Sequence, residues 1–283
     1  MTVINTNIGA TIARNAIGTN ERAMATSMER LSTGLRINSA KDDAAGLAIA
    51  SRMTAQVSTL NMGVRNANDA ISMLQTVEGA SKEISNMLVR MKELAVQANS
   101  ETYSTTDTDA LDLEYQALLA EITRVQANTK WNDMALMDNT SAGTANTVSV
   151  QLGDSAKDVT IKDWSTTGSG SVLTGLAGTA ITDTTRADAT TKAEAAITAL
   201  DTAITAATTE QATYGSEIAS LTHAADNLTN VSANTDQSRS RIQDADYAVE
   251  TTNLARTQII AQASTAMLAQ ANQSKQSVLA LLR

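Results

Sequence analysis

Hydrophobic residues recur every three or four positions along most of this chain, and the pattern extends to both of its ends. A helix is predicted over about 5–35. The apolar stripe along this segment contains Ile4, Ile8, Ile12, Met24, Met28, Leu31 and Leu35. A last helix is predicted over about 241–282, with a stripe of Ile260, Met267, Ala271, Val278 and Leu282. Chain ends usually fray. These two stripes therefore predict that the ends are buried, either against each other or against another molecule.

The most regular pattern lies between residues 47 and 99. Apolar residues alternate spacings of four and three from Met53 to Leu74, and after a shift of phase they resume from Ile84 to Ala98. This heptad repeat is typical of a helix that packs along its whole length. At 1.5 Å per residue the predicted helix is about 80 Å long.

The remaining helices follow the same logic. Ser39 followed by Asp42 resembles a capping box and predicts where the long helix starts. A polar break over 102–108 precedes a shorter helix, and a second heptad helix is predicted over about 188–231. The polar run 234–238 predicts a break before the last helix.

The periodicity changes between residues 130 and 185. Apolar and polar residues alternate on either side of a possible turn at 153–156, which predicts a small β-hairpin. The surrounding Thr, Ser, Gly, Asp and Asn are typical of a surface loop. The predicted fold is therefore mainly α: an elongated antiparallel helical bundle or coiled coil built from both halves of the chain, with a small β-hairpin insertion. We predict three parts: a terminal helical pair (1–40 with 240–283), a long-helix bundle (41–139 with 188–239) and a variable hairpin and loop region (140–187).

The composition argues against an enzyme. The chain has no Phe, Pro or Cys, and its net charge of −9 argues against nucleic-acid binding. The one histidine, His223, has no neighbouring catalytic motif, and we predict no catalytic residue, no cofactor and no metal site.

No segment has the roughly 20 apolar residues of a membrane span, and no signal peptide is visible. We expect no membrane insertion and, unless a dedicated apparatus exports the chain, a cytoplasmic location.

Four segments resemble the signatures of bacterial flagellin: INTN at 4–7, RLSTGLRINSAKDDAAGLAIA at 30–50, RMKELAVQANS at 90–100 and the whole of 240–283. The resemblance implies a subunit that self-assembles into the extracellular helical flagellar filament for swimming motility. It also implies that the terminal pair lines the filament core, that the long helices lie outside it, and that the chain leaves the cell unfolded through the flagellar type III apparatus without a cleaved signal peptide.

The resemblance further implies partners and site residues. The partners are other copies of the chain, a secretion chaperone, the export apparatus, and the junction and cap proteins. We assign self-assembly to the two terminal stripes defined above. A patch recognised by host Toll-like receptor 5 in some members corresponds here to Arg90, Leu94, Gln97 and Glu114. The alternatives are a hook–filament junction protein, which shares the terminal architecture, and a coiled-coil scaffold or signalling protein, which would explain the heptads alone.

Overall fold

A computed structural model describes the backbone of residues 6–138, 146–166 and 170–280, and the side chains of these residues up to Gln273. The described chain is mainly helical with a small β-hairpin in its middle, so the predicted fold class is confirmed. Its helices are α1 Ile8–Thr33, α2 Ala44–Ala98, α3 Thr105–Asn128, α4 Arg186–Gln243 and α5 Tyr247–Ala280.

The predicted hairpin consists of β3, Asn146–Leu152, and β4, Ser155–Ile161, which pair antiparallel with Val148 opposite Val159. A second, very short ladder was not predicted: β1, Lys130–Trp131, pairs with β2, Met134–Ala135. The turn between β1 and β2 places Asn132 and Asp133 at positive φ, a conformation that Asn and Asp tolerate better than most residues.

The predicted start of α2 is wrong by one turn. The Asp42 carboxylate does accept hydrogen bonds from the backbone N–H and the hydroxyl of Ser39, both at 3.0 Å, but these bonds close a turn that precedes the helix. The first turn of α2 is instead capped by Asp43, whose Oδ1 accepts the Gly46 N–H at 2.9 Å. Asp42 therefore closes the turn and Asp43 caps the helix. The spacing of Ser39 and Asp42 alone predicts a helix cap one turn too early.

The predicted break at 234–238 is also wrong, because α4 continues through it to Gln243. The segment contains no Gly or Pro, so nothing in it prevents helical backbone, and most of its polar side chains lie in solvent. The real break lies a few residues later. Oδ1 of Asp246 accepts the N–H groups of Ala248 and Val249 and caps α5.

The chain divides into two compact units, one made of residues 1–57 and 233–283 and the other of residues 58–232. In the second unit the α2 stripe has no shift of phase. Buried positions continue from Leu74 through Val77 and Ser81 to Ile84 at spacings of three and four. Ser81 is fully buried, and its hydroxyl donates to the carbonyl of Glu78. A polar residue therefore occupies a core position of the seam.

The region after the hairpin is not a plain surface loop. Trp164, Leu173 and Leu176 are fully buried. The Trp164 indole N–H donates to the Tyr214 hydroxyl of α4 at 3.0 Å, in the interior of the unit. The few apolar residues of this polar segment are therefore core residues, and the loop interpretation is wrong for them.

Candidate functional site

Helices α1 and α5 lie antiparallel and contact each other along most of their length. Asn7 near one end donates to the carbonyl of Ala271, and Asn20 donates to the carbonyl of Thr257 at 2.7 Å. At the other end, the Ala245 N–H donates to the carbonyl of Gly34, which ends α1 in the left-handed conformation. These contacts fix the register of the pair.

The most deeply buried side chains of this pair are polar. The buried residues of α1 are Asn20 and Ser27, and those of α5, as far as Gln273, are Glu250 and Thr257. An isolated helical pair usually does the opposite and buries its apolar stripe. Hydrogen bonds and one ion pair therefore contribute to the pair, and its inward apolar residues, such as Ile17, Met24 and Leu254, are only partly buried.

The ion pair joins Arg30 to Glu250, with Nη1 and Oε1 2.9 Å apart. The other carboxylate oxygen of Glu250 accepts the Ser27 hydroxyl at 3.0 Å. Burial raises the pKa of Glu250, but the hydrogen bonds from Arg30 and Ser27 and the Arg30 charge outweigh it, so that the net pKa lies below the ordinary value. Glu250 is thus held ionised inside the pair.

The outer surface of the pair includes several exposed apolar side chains. Five of the residues predicted for self-assembly are exposed, by these fractions: Ile8 54%, Ile12 64%, Met28 54%, Ile260 42% and Met267 67%. Tyr247, Val249 and Ile259 of α5 are exposed as well. Sequence reasoning did not select these three, although the large apolar side chains of adjacent pairs such as 259–260 cannot all face one partner helix.

The other predicted assembly residues are placed differently. Met24, Leu31, Leu35 and Ala271 are partly buried. Ile4, Leu282 and the side chain of Val278 lie outside the described residues.

A shallow groove runs between α1 and α5. A Cβ atom added to Gly9 would lie 3.7 Å from the Cβ of Ala271, so small residues let the helices approach closely here. The groove is lined by Gly9, Ile12, Ala13, Ala16, Ala263, Ser264, Met267 and Ala271. Ser264 is the one polar side chain of this lining, and the surface suits an apolar side chain from outside.

The predicted receptor patch lies on α2 and α3, and only part of it is on the surface. Arg90 forms ion pairs with Glu93 at 3.0 Å and with Glu114 of α3 at 2.9 Å, while Gln97 donates to the Tyr103 hydroxyl. Leu94 is only 1% exposed and belongs to the core, because it falls on the buried seam of α2. Leu94 therefore cannot present its side chain to a partner and can only support the three exposed residues.

Other chemistry has little support in the described parts of the chain. His223 is exposed on α4. Within 6–138, 146–166 and 170–280, no three His, Cys, Asp or Glu side chains are grouped so that they could hold a metal ion. None of the helices in these ranges is both long enough and apolar enough to cross a membrane.

Comparison with known proteins gives the family. Residues 4–142 match the family model of the bacterial flagellin N-terminal helical region, and residues 197–282 match that of the bacterial flagellin C-terminal helical region. The two matches cover α1, α2, α3 and α5 and most of α4.

Relatives match along almost the entire chain. A flagellin of Halalkalibacterium halodurans is 42% identical over 281 residues, covering 99% of this chain and 100% of the relative. The flagellin of Bacillus subtilis is 36% identical over 306 residues, with 99% of each chain covered. The crystal structure of Bacillus cereus flagellin superimposes with a TM-score of 0.50 at 35% identity, over 58% of this chain and 88% of that one. The chain therefore belongs to the bacterial flagellin family.

Proposed function

We propose that this chain, a structural subunit of the extracellular flagellar filament used for swimming, assembles through the exposed apolar residues of α1 and α5. One observation carries the proposal: α1 and α5 expose several large apolar side chains, while the most deeply buried side chains of the pair are polar. An exposed apolar surface of this kind is typical of a protein–protein contact. The same surface has no evident use in a scaffold protein that remains monomeric.

The energetics favour burial by several neighbours at once. Burying one large apolar side chain contributes about 1.5–3 kcal/mol relative to leaving it exposed. Docking a subunit costs an estimated 4–15 kcal/mol or more in lost freedom of motion. Several of the exposed residues must therefore be buried together, as happens when different faces of a subunit contact different neighbours. Such head-to-tail contacts, if they do not close into a ring, generate an open helical filament.

The resemblance supports a division of roles among the three predicted parts. In this proposal, 1–40 with 240–283 lines the filament core, 41–139 with 188–239 lies outside it, and 140–187 is nearest the surface. The compact unit of residues 1–57 and 233–283 is larger than the terminal pair, and extends it by the ends of α2 and α4.

The proposed partners before assembly follow from the same surface. An exposed apolar α5 needs protection in the cell, which supports a secretion chaperone that binds near this helix. We expect export of the unfolded chain through the flagellar type III apparatus without a cleaved signal peptide, and contact with the junction and cap proteins at the filament ends.

Host detection is proposed on the second unit. Arg90, Gln97 and Glu114 would contact Toll-like receptor 5, and the buried Leu94 would support α2 beneath them. The ion pair between Arg90 and Glu114 links α2 to α3 and holds the two charged side chains at one site.

The assembly proposal is tested by electron microscopy after seeding purified protein with filament fragments. We expect long tubular filaments from the unaltered chain. Ile12→Asp and Met267→Asp should remain monomeric with unchanged helical content, because both side chains are exposed in the subunit but would place a charge in the contact. The controls Ile12→Val and Met267→Leu keep the surface apolar and should assemble. Normal filaments from both Asp variants would overturn the assigned interface, and a lack of filaments from the unaltered chain would favour a junction or scaffold role.

A further inference from the structure

The side chain of Met267 belongs to the proposed assembly surface and is accessible to solvent in the isolated subunit. It lies in the groove between α1 and α5, among Ile12 and several alanines, and its side chain is mostly exposed. Met28 of α1 is exposed on the same pair. A thioether that is accessible to solvent reacts readily with two-electron oxidants.

We propose that Met267, together with Met28, is an oxidation site that switches the subunit between an assembly-competent and an assembly-blocked state. This inference rests on the proposed function. The oxidant class is a peroxide or a hypohalous acid. With hydrogen peroxide, the sulfur lone pair attacks one peroxide oxygen, the O–O bond breaks, and the products are methionine sulfoxide and water. A reductase that draws electrons from thiols reverses the change.

The structure explains why the modified subunit would still fold. Both side chains are largely in solvent, so the new S=O group remains hydrated in the isolated subunit and needs no partner there. In a contact between subunits the sulfoxide of Met267 would lie among the apolar groove residues, where Ser264 is the one polar side chain of the lining. The sulfoxide of Met28 would lie in the exposed part of α1 that the proposed function assigns to the same contacts. A polar group buried without a hydrogen-bond partner is costly. The oxidation therefore penalises assembly and leaves folding unaffected.

Other methionines provide internal controls. Met62 and Met134 are exposed but belong to the unit of residues 58–232 and not to the terminal pair. Met73, Met91 and Met137 are buried in the core of that unit and should react slowly. The proposal thus distinguishes exposed methionines whose oxidation blocks assembly from exposed methionines whose oxidation does not.

The experiment exposes monomer to hydrogen peroxide, removes the oxidant with catalase, maps sulfoxide by peptide mass spectrometry and measures seeded filament growth. We expect sulfoxide at 28, 62, 134 and 267, unchanged circular dichroism, and a critical concentration for growth raised about tenfold or more, as a penalty of at least 1.4 kcal/mol implies. Relative to its own untreated sample, the double variant Met28→Leu/Met267→Leu should show no rise in critical concentration after peroxide, whereas Met62→Leu/Met134→Leu should be inhibited by peroxide as strongly as the unaltered chain. A sulfoxide reductase should restore growth of the oxidised unaltered chain.

Two results would overturn the inference. One is normal growth of unaltered protein that carries sulfoxide at 28 and 267. The other is equal inhibition of the Met28→Leu/Met267→Leu variant. A failure of the untreated chain to grow filaments is a separate result, since it would overturn the proposed function before any oxidant is added.

Discussion

Gly63 of α2 lies so close to Gly153 of the hairpin turn that position 63 has no room for a side chain. A Cβ atom added to Gly63 would lie 2.5 Å from the backbone nitrogen of Gly153, well inside van der Waals contact. Gly153 also has φ of +69°, which disfavours any other residue at the turn. The tip of the β3–β4 hairpin is therefore seated directly on the backbone of α2.

We predict that Gly63→Ala displaces the hairpin tip and lowers the free energy of unfolding by about 1–3 kcal/mol, the usual cost of overpacking. Urea unfolding followed by tryptophan fluorescence measures it. Gly79→Ala is the matched control on the same helix, because no atom lies within 4 Å of its added Cβ. That control should stabilise the chain by about 0.5–1 kcal/mol through helix propensity. Equal effects of the two substitutions would contradict the seated hairpin.

The second prediction concerns the hydrogen bond that the Trp164 indole N–H donates to the Tyr214 hydroxyl. Tyr214→Phe leaves the buried indole N–H without its acceptor and should lower the free energy of unfolding by about 1–3 kcal/mol at neutral pH. Burial raises the pKa of Tyr214 to about 12, although the hydrogen bond from Trp164 lowers it. Because the folded pKa exceeds the unfolded value, the contribution of the neutral hydroxyl is complete below pH about 10 and is lost between pH about 10 and 12.

Urea unfolding at pH 8 and pH 11 tests this sign. The unaltered chain should lose more stability over that interval than Tyr214→Phe does. Tyr115 should contribute to the loss of stability at alkaline pH in both proteins, since burial also raises its pKa. A variant that loses as much stability as the unaltered chain would show that Tyr214 does not contribute to the alkaline transition.

The parts of the fold that were predictable depend on backbone periodicity. The seams of α2 and α4 and the alternation of β3 and β4 follow directly from which side chains face the core. Ser81 was missed because its core position is occupied by a hydroxyl that bonds to its own helix. Trp164 was missed because one apolar residue within a polar segment has no periodicity to reveal it.

The candidate site was predictable in its residues but not in its geometry. The stripes of α1 and α5 include Ile12 and Met267, and a stripe alone suggests that they face the partner helix, whereas both are exposed. The structure has Asn20 and Glu250 inside instead. Which side of a helix pair faces inward depends on hydrogen bonds between residues more than 200 positions apart in the chain, and local sequence carries no record of them.

Glu250 predicts acid sensitivity of the terminal pair. Since its pKa is lowered in the folded state, its stabilising effect is present above the unfolded pKa and disappears as the pH falls through the folded pKa. Glu250→Gln should therefore weaken the pair at neutral pH by about 1–3 kcal/mol, the value of hydrogen bonds to a charged group. It should have progressively less effect below pH about 4.5, where the carboxyl group of the unaltered chain is itself protonated.

Hydrogen exchange of α5 backbone amides, compared between variant and unaltered chain at each pH, measures this directly. Glu29→Gln is the control on α1, because the Glu29 carboxylate lies 4.0 Å from Lys41 and is 45% exposed. Such a surface pair contributes about 0–1 kcal/mol. A Glu250→Gln effect that persists unchanged at pH 3 would contradict an ionised, stabilising Glu250.

Leu94 and Gln97 of the proposed receptor patch should contribute very differently to the stability of the chain. Leu94→Ala should lower the free energy of unfolding by about 2–5 kcal/mol, as large-to-small substitutions in a packed core do. Gln97→Ala, on the exposed side of the same helix, should change it by no more than about 0.5 kcal/mol. Urea unfolding of both variants measures the two changes in the free energy of unfolding. If Leu94→Ala were as stable as Gln97→Ala, the packing of α2 against its neighbours would be wrong.

Limited proteolysis tests whether the terminal pair is stabilised mainly by assembly. In the subunit the pair buries few apolar side chains, so it should open locally far more often than the core of residues 58–232, which contains Leu88, Tyr115 and Trp164. Protease should therefore trim the monomer from one end to about residue 35 and from the other back to about residue 241, and leave a helical core. Assembled filaments should resist the same treatment, because their exposed stripes are then buried between subunits. Mass spectrometry of the fragments measures both. A monomer that resists trimming at both ends, at a protease concentration that cuts an unfolded control, would show that contacts within the subunit are enough to hold α1 and α5 together and that assembly adds little to their order.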